Sequence, residues 1–233
     1  MENPPAIQAT DLRKTFRDFW RRPRVEAVRG ISFAVPAGQV FGLLGPNGSG
    51  KSTTIKMILG LLFPTAGRLD VLGDAPRAVA VKSRIGYLPE ESYLYPHLTP
   101  AETLAFYARL FRLPRAVARD RIEQLLEMIG LAHARNRPVG EFSKGMARRI
   151  GLAQALLNDP DLVILDEPTT GLDPQAPRQV KDLILALAAR GKTVLLTSHL
   201  LADVEDVCAQ VAILFNGRLL AQGTLDALLA QKD

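Results

Sequence analysis

The 233-residue sequence predicts an α/β fold with an all-helical segment set into it. Short apolar runs bounded by turn residues alternate with stretches of helical periodicity, the pattern of a sheet whose strands are joined by helices. One run, Leu162–Leu165, is apolar without interruption, as expected of a strand buried on both faces. Between residues 100 and 157 the helical pattern continues almost unbroken, too far for one crossover helix.

In chain order, residues 31–35 and 40–44 read as strands and residues 51–62 as a helix. Residues 68–72 and 85–88 read as two further short strands. Pro114 and the triplet Asn136-Arg137-Pro138 break the helical block into separate helices. After it come the strand 162–165, a helix over 175–189 opened by Asp173-Pro174, a buried strand over 193–197 and a helix over 200–207. Residues 211–215 and 218–221 form a hairpin around Asn216-Gly217. The expected organisation is one domain, its core formed by residues 1–89 and 157–233 and its helical subdomain by residues 90–156.

Composition narrows the class. The chain is 47% hydrophobic and 23% charged, ample for a core. No apolar run approaches the ~18 residues of a membrane span, and the first ten residues lack the basic start and apolar run of a secretory signal. Cys208 is the single cysteine, so an internal disulfide is excluded and a reducing compartment, the cytoplasm, is expected. Its thiol is expected to be inert core. The net charge is +5, and much of the excess sits between residues 13 and 29, where Arg13, Lys14, Arg17, Arg21, Arg22, Arg24 and Arg29 surround Phe19 and Trp20. That segment reads as a solvated basic loop or a surface for anionic lipid or an acidic partner. No nucleic-acid-binding motif accompanies it, so nucleic acid is not expected as a partner.

Three stretches carry chemistry. Gly45-Pro46-Asn47-Gly48-Ser49-Gly50-Lys51-Ser52-Thr53 matches the phosphate-binding loop G-x-x-x-x-G-K-[S/T], follows an apolar strand and opens a helix. Glycines let successive N–H groups turn inward toward phosphate oxygens, and the helix N-terminus adds the positive end of its dipole. Lys51 supplies a cation for the β- and γ-phosphates, and the Ser52 hydroxyl is placed to ligate Mg²⁺. Second, the strand 162–165 ends in Asp166-Glu167. Asp166 is expected to hold Mg²⁺ mainly through water, and Glu167, pointing another way, to polarise the water that attacks the γ-phosphate. Third, Ser143 is a plausible N-cap for a helix starting near Lys144, which makes a further anion site.

The segment Phe142-Ser143-Lys144-Gly145-Met146 resembles the signature motif of ABC ATPases, usually L-S-G-G-Q. Residues 85–91, Ile-Gly-Tyr-Leu-Pro-Glu-Glu, resemble that family's Q-loop, Gly171-Leu172-Asp173-Pro174 its D-loop, and Thr197-Ser198-His199 its switch histidine. Phe16 stands where the adenine-stacking aromatic would be, with Phe19 and Trp20 as alternatives. The resemblance covers essentially the whole chain. It implies a P-loop NTPase (RecA-like) core with an antiparallel β subdomain and the inserted helical subdomain. It also implies a cytoplasmic ATPase that binds ATP and Mg²⁺ and energises a separate integral-membrane permease. Two such subunits would face each other head to tail, each ATP held between the phosphate loop of one and Ser143 and Gly145 of the other. Glu90 would join the metal's surroundings, Asp173 the nucleotide interface, and His199 the γ-phosphate. Lys144, Met146 and Glu90 replace the usual Gly, Gln and Gln, and in this they resemble the branch paired with ABC-2-type permeases, many of them exporters. The segment 92–98 would form part of the groove for a permease helix. No further C-terminal domain is expected.

Overall fold

Alternate residues of the central strands face two different cores, which is why those strands read as unbroken apolar runs. Val40 and Leu44 pack with one cluster, Phe41 and Leu43 with the other, and Val163 and Leu165 are likewise divided from Leu162 and Ile164. The computed structural model describes residues 4–20, 22–91, 93–170 and 176–230.

The strands are β1 (Ile7–Arg17), β2 (Pro23–Val35), β3 (Val40–Leu44), β4 (Ala66–Val71), β5 (Ile85–Leu88), β6 (Leu162–Leu165), β7 (Thr193–Ser198), β8 (Gln210–Phe215) and β9 (Arg218–Gly223). The helices are α1 (Lys51–Ile58), α2 (Val79–Lys82), α3 (Pro100–Leu110), α4 (Arg115–Met128), α5 (Lys144–Leu156), α6 (Ala176–Ala189) and α7 (Leu225–Leu229). A six-stranded sheet runs in the order β5-β6-β7-β3-β8-β9, parallel except for β9, and a three-stranded antiparallel sheet runs β2-β1-β4. One core lies between the six-stranded sheet and α3, α4, α5 and α6; the other lies between its opposite face, the antiparallel sheet and α1. This is the P-loop NTPase arrangement expected from the sequence, with an antiparallel β layer on one side.

Register sets the position of the polar strand ends. Leu44 lies opposite Ser198, Leu165 opposite Leu196, and Leu88 opposite Leu165. The carboxyl ends of β3, β5, β6 and β7 therefore open at one level, the place where parallel α/β sheets bind ligands.

Several elements differ from the sequence reading. Residues 7–17 and 23–30 are strand, unmarked in the sequence because β1 loses its alternation at a bulge. There Asp11 adopts φ +46°, and the register shifts between Ala9 and Leu12. Helix α1 stops at Ile58 rather than 62, because Gly60 at φ +66° turns the chain. The helix expected over 200–207 is only a 3₁₀ turn at Leu201–Asp203. Ser198 explains this: its hydroxyl donates to Asp203 Oδ2 (2.8 Å) and accepts from the Leu200 N–H (3.0 Å), offering the backbone another partner. The short helices α2 and α7 were not anticipated. The breaks at Pro114 and 136–138 fall where expected, between α3 and α4 and between two 3₁₀ turns. The expected start of α6 at Asp173-Pro174 lies outside the described residues.

Candidate functional site

Strand β3 delivers the chain into the loop 45–50 at the level of the other strand ends, and α1 begins at Lys51. The loop needs glycine where its backbone is most constrained. Gly45 has φ +152°, and a Cβ there would strike the Leu214 carbonyl and come within 2.6 Å of Ser49 Oγ. Gly50 has φ +107°, and a Cβ there would lie 2.7 Å from the Ala27 carbonyl. The backbone thus approaches its neighbours too closely for any side chain.

The loop borders a cavity of about 440 Å³ lined by Phe16, Val25, residues 46–53, Glu90, Glu167, Asn216 and other groups. Eight of the nine expected loop residues, Pro46, Asn47, Gly48, Ser49, Gly50, Lys51, Ser52 and Thr53, line it, while Gly45 does not. Phe16 lines the cavity at the β1 side with the Lys14 ammonium 5.4 Å from its ring centroid; Phe19 and Trp20 do not line it. They stand at the tip of the β1–β2 hairpin, 91% and 73% exposed, packed edge to face. Arg21 lies outside the described residues.

Lys51 and Glu167 are the charged pair of the site. Their side chains are only 6% and 7% exposed, and Lys51 Nζ lies 3.5 Å from Glu167 Oε1. The same ammonium donates to the carbonyl oxygens of Gly45 (2.6 Å) and Pro46 (3.4 Å), which folds it back over the loop. Glu167 adopts φ +47°, unusual for a residue with a side chain, so its carboxylate leaves the direction of β6. Its other oxygen, Oε2, accepts from Thr170 Oγ1 (3.1 Å) and from His199 Nδ1 (2.8 Å). A carboxylate oxygen only accepts, so the His199 Nδ1 carries the proton in this pairing, and Nε2 takes no part in it.

Asp166 is buried beside it. Thr197 Oγ1 donates to Asp166 Oδ1 (2.7 Å) and accepts from the Glu167 N–H (3.0 Å), so one hydroxyl fixes both acidic residues. Burial pushes the Asp166 carboxyl above the ordinary carboxylate range; the Thr197 hydrogen bond pulls it back, the Glu167 charge pushes it up, and Lys51 and Arg148 pull it down. Glu90, at the end of β5, is exposed and borders both this cavity and a neighbouring one of about 350 Å³ that also touches Glu91, Tyr93, Lys144, Ala147 and Thr170.

The structure does not bring every expected residue together. Ser143 and Gly145, at the start of α5, do not line the phosphate-loop cavity of their own chain. Ser143 caps α5, its hydroxyl accepting from the Met146 N–H (3.2 Å). Asp173 lies outside the described residues. Thr197 was marked in the sequence only as part of the Thr197-Ser198-His199 resemblance and not as a partner of the acidic pair, and neither Thr170 nor Arg148 had any mark of its own. Cys208 is partly buried, and burial raises its thiol to about 12, as an inert position requires.

The residues fit a magnesium–nucleotide complex. Ser49 Oγ is buried with no hydrogen-bond partner among the described residues, an orphan hydroxyl in the loop that borders the cavity. Among the described residues no group of three or more His, Cys, Asp or Glu could hold a metal by itself. Mg²⁺, which takes few protein ligands and fills its shell with phosphates and water, suits Ser52, Asp166 and Glu90 better than a metal needing a full protein cage.

A family model described as ABC transporter matches residues 28–170. An ABC transporter ATP-binding protein of Nostoc sp. is 44% identical over 99% of this chain and 70% of its own length. A Nod factor export ATP-binding protein I of Ralstonia nicotianae is 40% identical over 98% of this chain and 70% of its own. Among solved structures, CbiO1 of Clostridium perfringens, part of the ABC transporter complex CbiONQ, superposes with a TM-score of 0.87 at 26% identity, covering 99% of this chain and 92% of that one.

Proposed function

Because the chain belongs to the ABC transporter family, as an ATP-binding subunit, we propose that it hydrolyses Mg²⁺-ATP to drive export through a separate ABC-2-type permease. ATP-binding cassettes of this family bind ATP, generally with Mg²⁺, and serve transporter complexes. Hydrolysis by this chain, the export direction, the permease class and the pairing of two copies are the parts proposed. The Nod factor export protein supports the direction. The replacement of the usual Gln by Glu90 and the signature Ser-Lys-Gly-Met support the branch. Among the described residues no helix is long and apolar enough to cross a membrane; the permease is proposed as another chain, with this one peripheral on the cytoplasmic face. Residues 90–156, carrying α3, α4 and α5, would move as one subdomain against the core.

One observation carries the catalytic reading: Lys51, Glu167, His199 and Asp166 converge at the mouths of three parallel strands beside a phosphate loop. The loop N–H groups and the dipole of α1 would hold the phosphates. Lys51 would exchange the Gly45 and Pro46 carbonyls for phosphate oxygens. Mg²⁺, held by Ser52 and Asp166 with Glu90 nearby, would neutralise charge developing on the β- and γ-phosphates. Glu167, kept in aim by Thr170 and His199, would accept a proton from the attacking water. Release of the phosphate contact would be sensed by His199, whose Nε2 is unpaired with Glu167. Phe16 would stack on the adenine.

The test is ATPase turnover of the purified chain. Glu167→Gln is expected to retain ATP binding and lose ~10²–10⁴ in rate, the usual size of a general-base contribution. Lys51→Ala is expected to weaken nucleotide binding itself. Wild-type turnover in Glu167→Gln would remove Glu167 from the reaction.

A further inference from the structure

The signature helix carries a buried cation that none of the motifs accounts for. Arg148 lies on α5 just beyond Ser143 and Gly145, is 6% exposed, and spends its whole guanidinium on main-chain carbonyls. Nη1 donates to Pro89 O and to Glu90 O (2.8 Å); Nη2 donates to Asp166 O (2.6 Å) and Glu167 O (2.9 Å); Nε faces Pro168 O (3.4 Å). The acceptors come from two loops, the one after β5 that bears Glu90 and the one after β6 that bears both acidic residues.

A buried cation is costly unless its donors are satisfied, and a hydrophobic residue of similar volume would commonly serve stability as well. What a hydrophobic residue could not do is join three pieces of chain. A guanidinium presents donors in a rigid planar fork, so it can serve two loops at once; an ammonium is a single point on a flexible stem. The Glu167 carbonyl it holds belongs to a residue at φ +47°, a conformation that needs outside support. Thr197 holds that residue by its N–H and Arg148 by its carbonyl, so the peptide units on both sides of the Glu167 side chain are pinned.

We propose that Arg148 is a positioning residue that links α5, the Glu90 loop and the Glu167 loop, so that displacement of the helical segment re-aims the Glu167 carboxylate. Arg148 does not touch the nucleotide cavity in this arrangement and acts through Glu167. The inference rests on the hydrolytic role given to Glu167 above.

The experiment compares Arg148→Gln and Arg148→Lys in the wild-type background with Arg148→Gln in the Glu167→Gln background. Turnover against ATP concentration, binding of trinitrophenyl-ATP and thermal melting are read for each. Arg148→Gln is expected to bind the analogue within about twofold of wild type and to lose at least ~10-fold in kcat with little change in KM. Arg148→Lys, which keeps the charge, is expected to fold and to recover part of that rate. In the Glu167→Gln background the same Arg148→Gln change is expected to cost little more, because the two residues act as one unit. Three results would overturn the inference: unchanged kcat in a folded Arg148→Gln or Arg148→Lys, parallel loss of binding and rate, or a full further loss in the double variant. A wild-type chain without Lys51-dependent hydrolysis would instead remove the reading on which the inference stands.

Discussion

Asp166, proposed above to hold the metal, shows how a buried carboxylate can cost the protein that carries it. Its carboxyl is raised chiefly by burial, so the native state holds a proton more tightly than the unfolded chain does. Stability from this group therefore increases as pH falls through the window between the raised value and the ordinary carboxylate range, and above that window the buried charge is a net cost. Asp166→Asn keeps an oxygen for the Thr197 hydroxyl and discards the charge. The nucleotide-free variant is expected to melt higher than wild type at neutral pH and to show a flatter pH dependence in mildly acidic solution. Its hydrolysis is expected to fall by ~10² or more, since a metal's charge stabilisation is worth several kcal/mol. Melting curves with and without Mg²⁺-ATP decide the matter: a lower melting temperature without nucleotide would mean that Asp166 supports the fold. Asp166 and Glu167 were legible in the sequence because a strand of four apolar residues runs straight into them. Thr197 was not legible as their partner, because that contact depends on register: Leu165 pairs with Leu196, which sets the next residues, Asp166 and Thr197, side by side.

Strands and helices were legible where one physical pattern dominated. The strands β3 and β6, covered on both faces, have no polar residue, β7 carries hydroxyls only at its two ends, and the hairpin of β8 and β9 is announced by Asn216-Gly217, both at positive φ. The antiparallel layer was half missed because the later part of β1 and the start of β2 are largely exposed and basic, and β1 is bulged. Arg13 and Arg29 lie across from one another there, paired instead with Asp11 (2.9 Å) and Glu26 (3.6 Å). Packing between elements left one mark that sequence reading passed over. Gly86, in β5, lies so close to α5 that a Cβ would strike the Ala155 carbonyl and come within 2.9 Å of Pro160 Cγ. Backbone and a proline ring cannot swing aside. Gly86→Ala is therefore expected to destabilise the chain by ~1–3 kcal/mol or more, the size of overpacking in a tight core. Chemical denaturation measures it. An unchanged midpoint would show that β5 and α5 can part without loss, and would also weaken the case that α5 and the Glu90 loop move together.

Considered as one object, the chain has two candidate anion sites that do not meet. The phosphate loop opens into its own cavity, whereas the N-terminus of α5, with exposed Ser143 at its cap, lies outside that cavity. A helix N-terminus attracts phosphate, and the pairing of two copies proposed above would bring this one to the partner's nucleotide. Ser143→Asp separates that role from folding. Aspartate caps a helix as well as serine does, and its charge suits the helix dipole, so α5 is expected to remain intact. The same charge would repel a γ-phosphate presented by a second copy by ~4 kcal/mol at ~4 Å and an effective dielectric of ~20. In the slowly hydrolysing Glu167→Gln background, light scattering in Mg²⁺-ATP is expected to show dimers, and with Ser143→Asp added, monomers. Nucleotide affinity of the monomer is expected to stay within about twofold, because Ser143 lies off its own cavity. Dimers that persist in the Ser143→Asp variant would place the start of α5 away from the nucleotide and leave its anion site without a role in pairing.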